Sequence, residues 1–189
     1  MNKLYWEMNM FLSLISKRRS IRKFKNHQIE QEKIKKLAEA ALRSPSSRNR
    51  NPWEFIFVSD QELLKKLSIS KKHGSAFLRG APLGVVVLAD PNKCDVWVED
   101  ASIASTYLFL QAEDLDLGAC WIQIRGRMHN DEISSDDFVK ELLNIPVHYN
   151  VESIIAIGYA DETRTPLKKE NLETQKLFIN EYGNYQKIF

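Results

Sequence analysis

Residues 44–53 of this chain are Ser44-Pro45-Ser46-Ser47-Arg48-Asn49-Arg50-Asn51-Pro52-Trp53. Small hydroxyl side chains, amides and arginines follow one another here, a composition typical of a loop. One interpretation is a well-capped turn, because serine and asparagine side chains bond to nearby backbone. The other is a polar grip on the edge of a heterocyclic ring, whose carbonyls and nitrogens need donors and acceptors.

This loop separates a predicted helix from a predicted strand. Apolar residues from 34 to 42 recur at three- and four-residue spacing and indicate a helix that stops before Pro45. Residues 53–59 are predicted to form a strand, and Asp60 can cap the helix after it. The apolar pattern predicts the later elements as follows: a buried central strand at 84–89, a helix at 97–117, a strand at 119–124, a helix near 135–143 and a strand at 153–159.

The chain of 189 residues fits a single domain, residues 1–189, without repeats or linkers. Helices alternate with about four strands, which indicates an α/β-type domain with a central sheet. Periodicity alone favours parallel strands. The helix at 97–117 is apolar around most of its circumference, so we expect it to be buried. An apolar patch at residues 8–15 predicts an amphipathic first helix that ends near Lys17.

A basic turn follows the first helix. Residues 17–24 are Lys17-Arg18-Arg19-Ser20-Ile21-Arg22-Lys23-Phe24, with five cations and a hydroxyl within eight positions. Such crowding is unfavourable unless an anion or solvent relieves it. Arginine forks match phosphate oxygens, so a phosphate site and a solvated basic turn are both compatible with the pattern.

Composition and missing motifs argue against several classes of protein. The net charge of +2 is too small for a dedicated nucleic-acid binder. No Rossmann or P-loop glycine pattern, hydrolase elbow or metal-ligand spacing occurs, so no metal is expected. Cys94 and Cys120 are expected to be buried small hydrophobes. No apolar run is long enough to span a membrane, and the cytoplasm is the expected compartment.

Together the two motifs resemble the signatures of the nitroreductase family. Residues 18–24 are similar to its opening RRSIR segment with a basic and an aromatic residue, and residues 44–53 are similar to its SPSSxNxQPW loop. Ala81-Pro82, the buried helix and the Ile157-Gly158-Tyr159 strand end follow in family order, so nearly the whole chain is covered. The resemblance implies an α+β fold with a mostly antiparallel sheet flanked by helices, in place of the parallel sheet. It also implies an intertwined homodimer with FMN at the subunit interface.

The resemblance also implies which residues contact the flavin. The phosphate and the polar rim of the flavin would be held by Arg18, Arg19, Ser20 and Arg22. The partner subunit's flavin would be reached by Pro45, Ser46, Ser47 and Asn49, with Asn51 where the family has glutamine. Backbone near flavin N5 would come from Trp121, Ile122 and Gln123, where many members have a glycine-containing turn. Asp100 matches a polar position facing the flavin, and Lys168 and Lys169 match a late basic pair at the phosphate.

The implied activity is that of an FMN-dependent oxidoreductase. NAD(P)H would pass a hydride to flavin N5 at roughly 3–3.5 Å, and a nitroaromatic, quinone or similar small acceptor would then take it in a ping-pong cycle. The flavin carries the chemistry, so no side chain is named as catalytic. Two alternatives stay open: another flavin reaction on the same fold, such as reductive dehalogenation or flavin fragmentation, and a non-catalytic flavin- or anion-binding module.

Overall fold

The computed structural model describes residues 10–184 of the chain. Two compact units are formed, Arg18–Arg164 and the two terminal segments Met1–Lys17 and Thr165–Phe189. Within the described part of the terminal unit, helix α1 spans Met10–Lys17, and short 3-10 turns span Lys169–Asn171 and Thr174–Lys176. The predicted first helix therefore ends where expected, whereas residues 8 and 9 of the apolar patch lie outside the described residues.

The described residues of the unit Arg18–Arg164 form four α-helices and four strands, with short 3-10 turns at Ser47–Asn49 and Ala76–Gly80. The helices are α2 (Gln31–Leu42), α3 (Gln61–Leu67), α4 (Trp97–Asp114) and α5 (Ser135–Leu143). The strands are β1 (Trp53–Val58), β2 (Leu83–Ala89), β3 (Gly118–Gln123) and β4 (Asn150–Gly158). Every element predicted from the sequence in this unit is present, and the observed ends differ from the predicted ends by at most three residues.

The four strands form one antiparallel sheet in the order β1-β2-β4-β3. The antiparallel sheet implied by the family resemblance is confirmed, and the parallel sheet favoured by periodicity is wrong. The reason lies in β2, whose seven residues are all buried because both faces of the sheet are covered. A continuous apolar run is then required in an antiparallel strand as much as in a parallel one, so the pattern cannot distinguish the two.

The core consists of two apolar layers, one on each face of the sheet. One layer joins α2 and α4 to the sheet around Leu37 and Leu108. The other joins α3 and α5 to the opposite face around Leu64 and Val139. Because successive residues of a strand point to opposite faces, β3 contributes alternate side chains to the two layers, and Ile122 belongs to the α3 and α5 layer.

Two of the helices have a side-chain cap at the N-terminus. The Asp60 carboxylate accepts from the Leu63 N–H at 2.8 Å, which confirms the predicted cap of α3. The Ser134 hydroxyl accepts from the Asp137 N–H at 3.0 Å at the start of α5. Such caps satisfy N–H groups that have no partner within the helix.

Helix α4 is shorter and more exposed than predicted. It ends at Asp114 and not near residue 117, because Asp116 adopts a left-handed φ of 58° and redirects the chain into β3. Ile103 is 39% exposed and Tyr107 is 37% exposed. These residues are one turn apart, so part of the apolar circumference forms an outward face and is not buried within the chain.

None of the helices in residues 10–184 combines the length and the hydropathy needed to cross a membrane. The same residues contain no group of three or more histidine, cysteine, aspartate or glutamate side chains placed to hold a metal ion.

Candidate functional site

The arginine turn, residues 18–24, docks against the first residues of β3. Ser20 forms a parallel bridge with Ala119, and the Ile21 N–H donates to the Ala119 carbonyl at 3.0 Å. Glycine at position 118 allows this approach, because a Cβ there would lie 2.7 Å from the Ile21 Cβ. The turn is therefore fixed at the outer edge of the sheet, beside the strand predicted to supply backbone contacts.

The backbone of the arginine turn is held by Glu162. Its Oε1 accepts from the N–H groups of Arg22 at 2.6 Å and Lys23 at 3.1 Å, and its Oε2 pairs with the Arg164 guanidinium at 2.6 Å. The bond from Arg22 is the main reason that the pKa of Glu162 is lowered. This carboxylate is thus engaged by backbone and by Arg164, and the Arg22 guanidinium remains available for another anion.

The guanidinium groups of the turn have aromatic neighbours. Arg18 lies over the Phe109 ring at 5.7 Å, and Arg22 lies over the Phe77 ring at 5.9 Å. In the part of the chain that the structure describes, no carboxylate lies within ion-pair distance of the guanidinium of Arg18, Arg19 or Arg22. Three uncompensated cations on one short segment favour binding of a multiply charged anion such as a phosphate.

Cys120 lies beside the arginine turn on β3. Its side chain is buried, and the Ser20 hydroxyl lies within hydrogen-bonding reach of the thiol. Burial raises the pKa of the Cys120 thiol, and the nearby Arg22 and Arg18 offset this effect only in part. The thiol therefore stays protonated at neutral pH, so Cys120 is a neutral wall of the site and not a nucleophile.

Lys71 is a further cation near this site that sequence reasoning missed. Burial, and next the charge of Arg127, lower the pKa of Lys71, and Cys120 is close enough to affect the same pKa. Lys71 also lines an open cavity of about 290 Å³ together with Lys72 and His73. In the sequence, Lys71 is marked only by the basic run at residues 71–73, and the tertiary fold is what brings this run towards β3.

The loop at residues 44–53 has a fixed and unusual backbone. The Ser46 hydroxyl donates to Asn51 Oδ1 at 2.7 Å and accepts from the Asn51 N–H at 2.9 Å. Arg48, Asn49 and Asn51 adopt positive φ values of 52°, 56° and 45°. Asparagine tolerates this left-handed region, whereas arginine rarely adopts it. Such strain is typical of functional sites. Pro45 and Asn49 of this loop are exposed at the surface.

Asp100 anchors this loop to the first turn of α4. Its Oδ1 accepts from the Ser47 N–H at 2.8 Å, and its Oδ2 accepts from the Cys94 thiol at 3.3 Å. Asp100 is 3% exposed. Both oxygens of this buried carboxylate therefore accept hydrogen bonds from the chain itself and not from solvent. The predicted contact of Asp100 with a flavin stays a prediction, and its bond to Ser47 was not foreseen.

The three residues predicted to lie against a ring occupy the end of β3, an edge strand of the sheet. The Ile122 side chain is fully buried in the core, so only its backbone can meet a ligand. Trp121 is stacked on Phe109 with ring centroids 6.4 Å apart, and its Nε1 donates to Gln123 Oε1 at 2.9 Å. Gln123 Nε2 in turn donates to the Arg125 carbonyl at 3.0 Å.

Within one chain, the arginine turn and the loop at residues 44–53 lie at opposite corners of the sheet. The loop leads into Trp53 on β1, level with Asn150 of β4, whereas the turn meets Ala119 on β3, level with Ile157 of β4. Strand spacing and rise per residue separate these points by about 14 Å across the sheet and about 24 Å along it. The structure brings Arg18, Ser20 and Arg22 together with β3, but it does not bring the loop of the same chain to them.

Comparison with known proteins identifies the family. A model of the nitroreductase family matches residues 15–70 and 67–159, which is well over half of the chain. The chain belongs to the nitroreductase family. The resemblance found in the two sequence motifs is thereby confirmed.

Several members of the nitroreductase family are similar to this chain over most of its length. The solved structure of an FMN-dependent nitroreductase from Clostridium difficile R20291 is 47% identical, has a TM-score of 0.90, and matches 90% of this chain and 99% of that chain. An NADH dehydrogenase of Thermus thermophilus is 35% identical in an alignment that covers 83% of this chain and 90% of the relative. An FMN reductase (NAD(P)H) of Bacillus subtilis is 27% identical in an alignment that covers 92% of this chain and 76% of the relative.

Lys168 and Lys169, the late basic pair implied by the nitroreductase resemblance, belong to the terminal unit. Lys168 Nζ lies 3.5 Å from Glu170 Oε1, and Lys169 begins a 3-10 turn. Their contact with a phosphate stays a prediction.

Proposed function

We propose that this chain is an FMN-dependent NAD(P)H oxidoreductase that works as a homodimer, with each flavin held between two subunits. The observation that carries the proposal is the separation of two polar half-sites at opposite corners of one sheet. The turn carries uncompensated cations and the loop has a strained backbone, yet neither half-site can complete the other within one chain. A second copy related by a two-fold axis would bring the turn of one subunit to the loop of the other.

The residues of the arginine turn fit a phosphate. Among residues 10–184, no carboxylate competes for the guanidinium groups of Arg18, Arg19 and Arg22. Each charge-assisted bond to a phosphate contributes about 1.5–3 kcal/mol. In this arrangement Ser20 and the edge of β3 at Trp121–Gln123 would meet the polar rim of the flavin. When bound, FMN supplies two-electron hydride chemistry at N5.

The loop would complete the site in the partner subunit. The exposed and half-buried residues of the loop would close over the flavin ring and supply hydrogen-bond donors and acceptors to the carbonyls and nitrogens of that ring. These residues are Pro45, Ser46, Ser47, Asn49 and Asn51. Asp100 holds the loop in this shape from behind through the Ser47 N–H. We expect the loop to act by positioning and by excluding water, and we assign no proton transfer to it.

Apolar surface supports a second copy of the chain as the partner. Ile103 and Tyr107 form an outward apolar face on α4, next to the half-buried Phe109. Helix α1 has no buried residue, and its Met10 and Phe11 are 67% and 63% exposed. Large exposed apolar side chains on helices are typical of surfaces buried in oligomers.

The proposed substrate classes follow from the relatives. Relatives named NADH dehydrogenase and FMN reductase (NAD(P)H) support a nicotinamide donor, and the FMN-dependent nitroreductase supports a nitroaromatic or quinone acceptor. Donor and acceptor would use the same exposed ring face in turn, because no second nucleotide-binding motif is present. The chain's own contribution is to hold, orient and shield the ring.

The test is direct. Purified protein is expected to be yellow, to release FMN at about one per subunit and to oxidise NAD(P)H when a nitroaromatic or quinone is supplied. A protein that binds FMN without turnover of either acceptor would be a binding module, and turnover of only a halogenated substrate would assign a dehalogenase. A colourless monomer that does not bind added FMN would refute the proposal.

A further inference from the structure

A β-bulge takes Glu152 out of the regular pairing of β4. Val87 on β2 is opposite Ser153, but the next residue, Leu88, is opposite Val151, so Glu152 is the extra residue of β4. A bulge redirects the side chains around it and is often found beside a functional site. Here it directs a carboxylate inward from the end of a central strand.

The Glu152 side chain is buried, with 3% of the residue exposed. Its Oε1 accepts from the Ser102 hydroxyl of α4 at 3.4 Å, and the Gln123 amide lies within hydrogen-bonding reach of the carboxylate. Its Oε2 has no hydrogen-bond partner among the described residues. Buried polar atoms without a partner are rare in native proteins, so a role that compensates for this cost is expected.

Two charged groups face Glu152. Arg125 follows β3 and also lies over the Trp97 ring at 5.8 Å, and Glu99 lies on α4. Burial is the main reason that the pKa of Glu152 is raised, Arg125 opposes this rise, and Glu99 adds to it. Glu152 therefore keeps its proton to a higher pH than an exposed glutamate does.

Gln123 connects Glu152 to Trp121. The Trp121 indole donates to Gln123 Oε1 at 2.9 Å, and Gln123 Nε2 donates to the Arg125 carbonyl at 3.0 Å. The other N–H of the same amide is the group within reach of the Glu152 carboxylate. Because the oxygen of Gln123 accepts from Trp121 and its nitrogen donates to Arg125, the amide has a fixed orientation, and Glu152 is coupled to Trp121 through this one side chain.

We infer that Glu152 is a positioning residue for the strand that faces the flavin, acting through the amide of Gln123. The inference rests on the proposed function for the place of the flavin beside Trp121–Gln123. Glu152 holds that amide, and with it the Trp121 indole, in one arrangement. When ionised, Glu152 would also make a flavin held beside this strand harder to reduce, because its negative charge would oppose the added electrons.

The coupling is tested without flavin. In the FMN-free chain, the NMR resonance of the Trp121 indole N–H, assigned with Trp121→Phe, is followed against pH. It is expected to titrate with a midpoint above the ordinary glutamate value of 4.5, and Glu152→Gln is expected to abolish the titration. The control Glu99→Gln removes a nearby carboxylate and should only move the midpoint to lower pH. A titration that persists unchanged in Glu152→Gln would overturn the inference.

The consequence for the ring is tested in the FMN-bound protein by measuring the reduction potential of the flavin against pH. The wild type and Glu152→Gln are expected to agree at low pH, and the variant is expected to have the higher potential as Glu152 loses its proton. Equal potentials at every pH would overturn the inference while leaving the proposed function intact. A wild-type chain that binds no FMN would refute the proposed function, and the indole titration would still report the coupling separately.

Discussion

The carboxylate of Asp100 offers the sharpest test of how the loop at residues 44–53 is held. Asp100→Ala removes both acceptor oxygens and leaves the Ser47 N–H and the Cys94 thiol without partners. A hydrogen bond to a charged group contributes about 1.5–3 kcal/mol. Apart from the exposed Arg50–Asp95 ion pair, the other hydrogen bonds described for residues 46–51 join residues of the loop to one another. Most of this loss should therefore appear as a smaller population of the native loop and not as global unfolding.

The expected effect on cofactor affinity follows from that population. If only the native loop can close over a flavin, the FMN dissociation constant rises by the factor by which the native loop is depleted, which is at most roughly 10- to 150-fold for this energy. The assay is titration of FMN-free protein with FMN, followed by quenching of flavin fluorescence. Circular dichroism and the thermal unfolding midpoint should show that the fold of Asp100→Ala is retained.

Two control variants separate the buried bond from surface charge. Asp100→Asn keeps an oxygen for the Ser47 N–H and presents its amide nitrogen to Cys94. We therefore expect the FMN dissociation constant to rise by roughly tenfold or less. Asp95→Asn breaks a surface ion pair with Arg50 in the same loop and should have little effect on affinity. A folded Asp100→Ala chain that binds FMN as tightly as the wild type would refute the assigned role of Asp100.

Three further predictions concern the arginine turn and β4. Replacing Arg18 and Arg22 together by alanine should weaken FMN binding by at least about 100-fold with the fold intact, and full flavin absorbance after gel filtration would contradict this. Gly118→Ala forces a Cβ against Ile21 and should lower the free energy of unfolding in urea by about 1–3 kcal/mol; an unchanged midpoint would contradict the packing. Because the folded pKa of Glu152 is raised above 4.5, its contribution to stability is full below that pH and is lost as pH rises through the raised pKa. Urea unfolding of Glu152→Gln between about pH 4 and 8 should lack this decline, and an identical decline in both proteins would contradict the assignment.

The elements of the fold were predictable from the sequence because their signals are local. Apolar spacing located α2, β2 and α5, and Asp60 marked the start of α3. The direction of the strands was not predictable from periodicity, because β2 is covered on both faces and carries the same apolar run in either arrangement. The exposed face of α4 was missed for a related reason: an apolar side chain has the same pattern whether its own chain or a partner covers it.

The motifs predicted part of the candidate site, and tertiary contacts supplied the rest. The arginine turn could be located because its cations are contiguous. Glu162, which holds the backbone of that turn, is 140 positions beyond Arg22 and carries no motif. Lys71 and Glu152 likewise acquire their surroundings only when β3 and β4 pair, and the anchoring of the loop by Asp100 spans 53 positions.

In the proposed dimer, each flavin is held by the arginine turn of one subunit and the loop of the other. Subunits with both Arg18→Ala and Arg22→Ala can be co-expressed with subunits carrying Asp100→Ala, and the mixed dimer can be purified through two different tags. One flavin site of that dimer then carries both defects, and the other flavin site carries neither. We expect one tightly bound FMN per mixed dimer, although each variant homodimer binds FMN weakly. A mixed dimer that binds FMN as weakly as both homodimers would contradict this expectation.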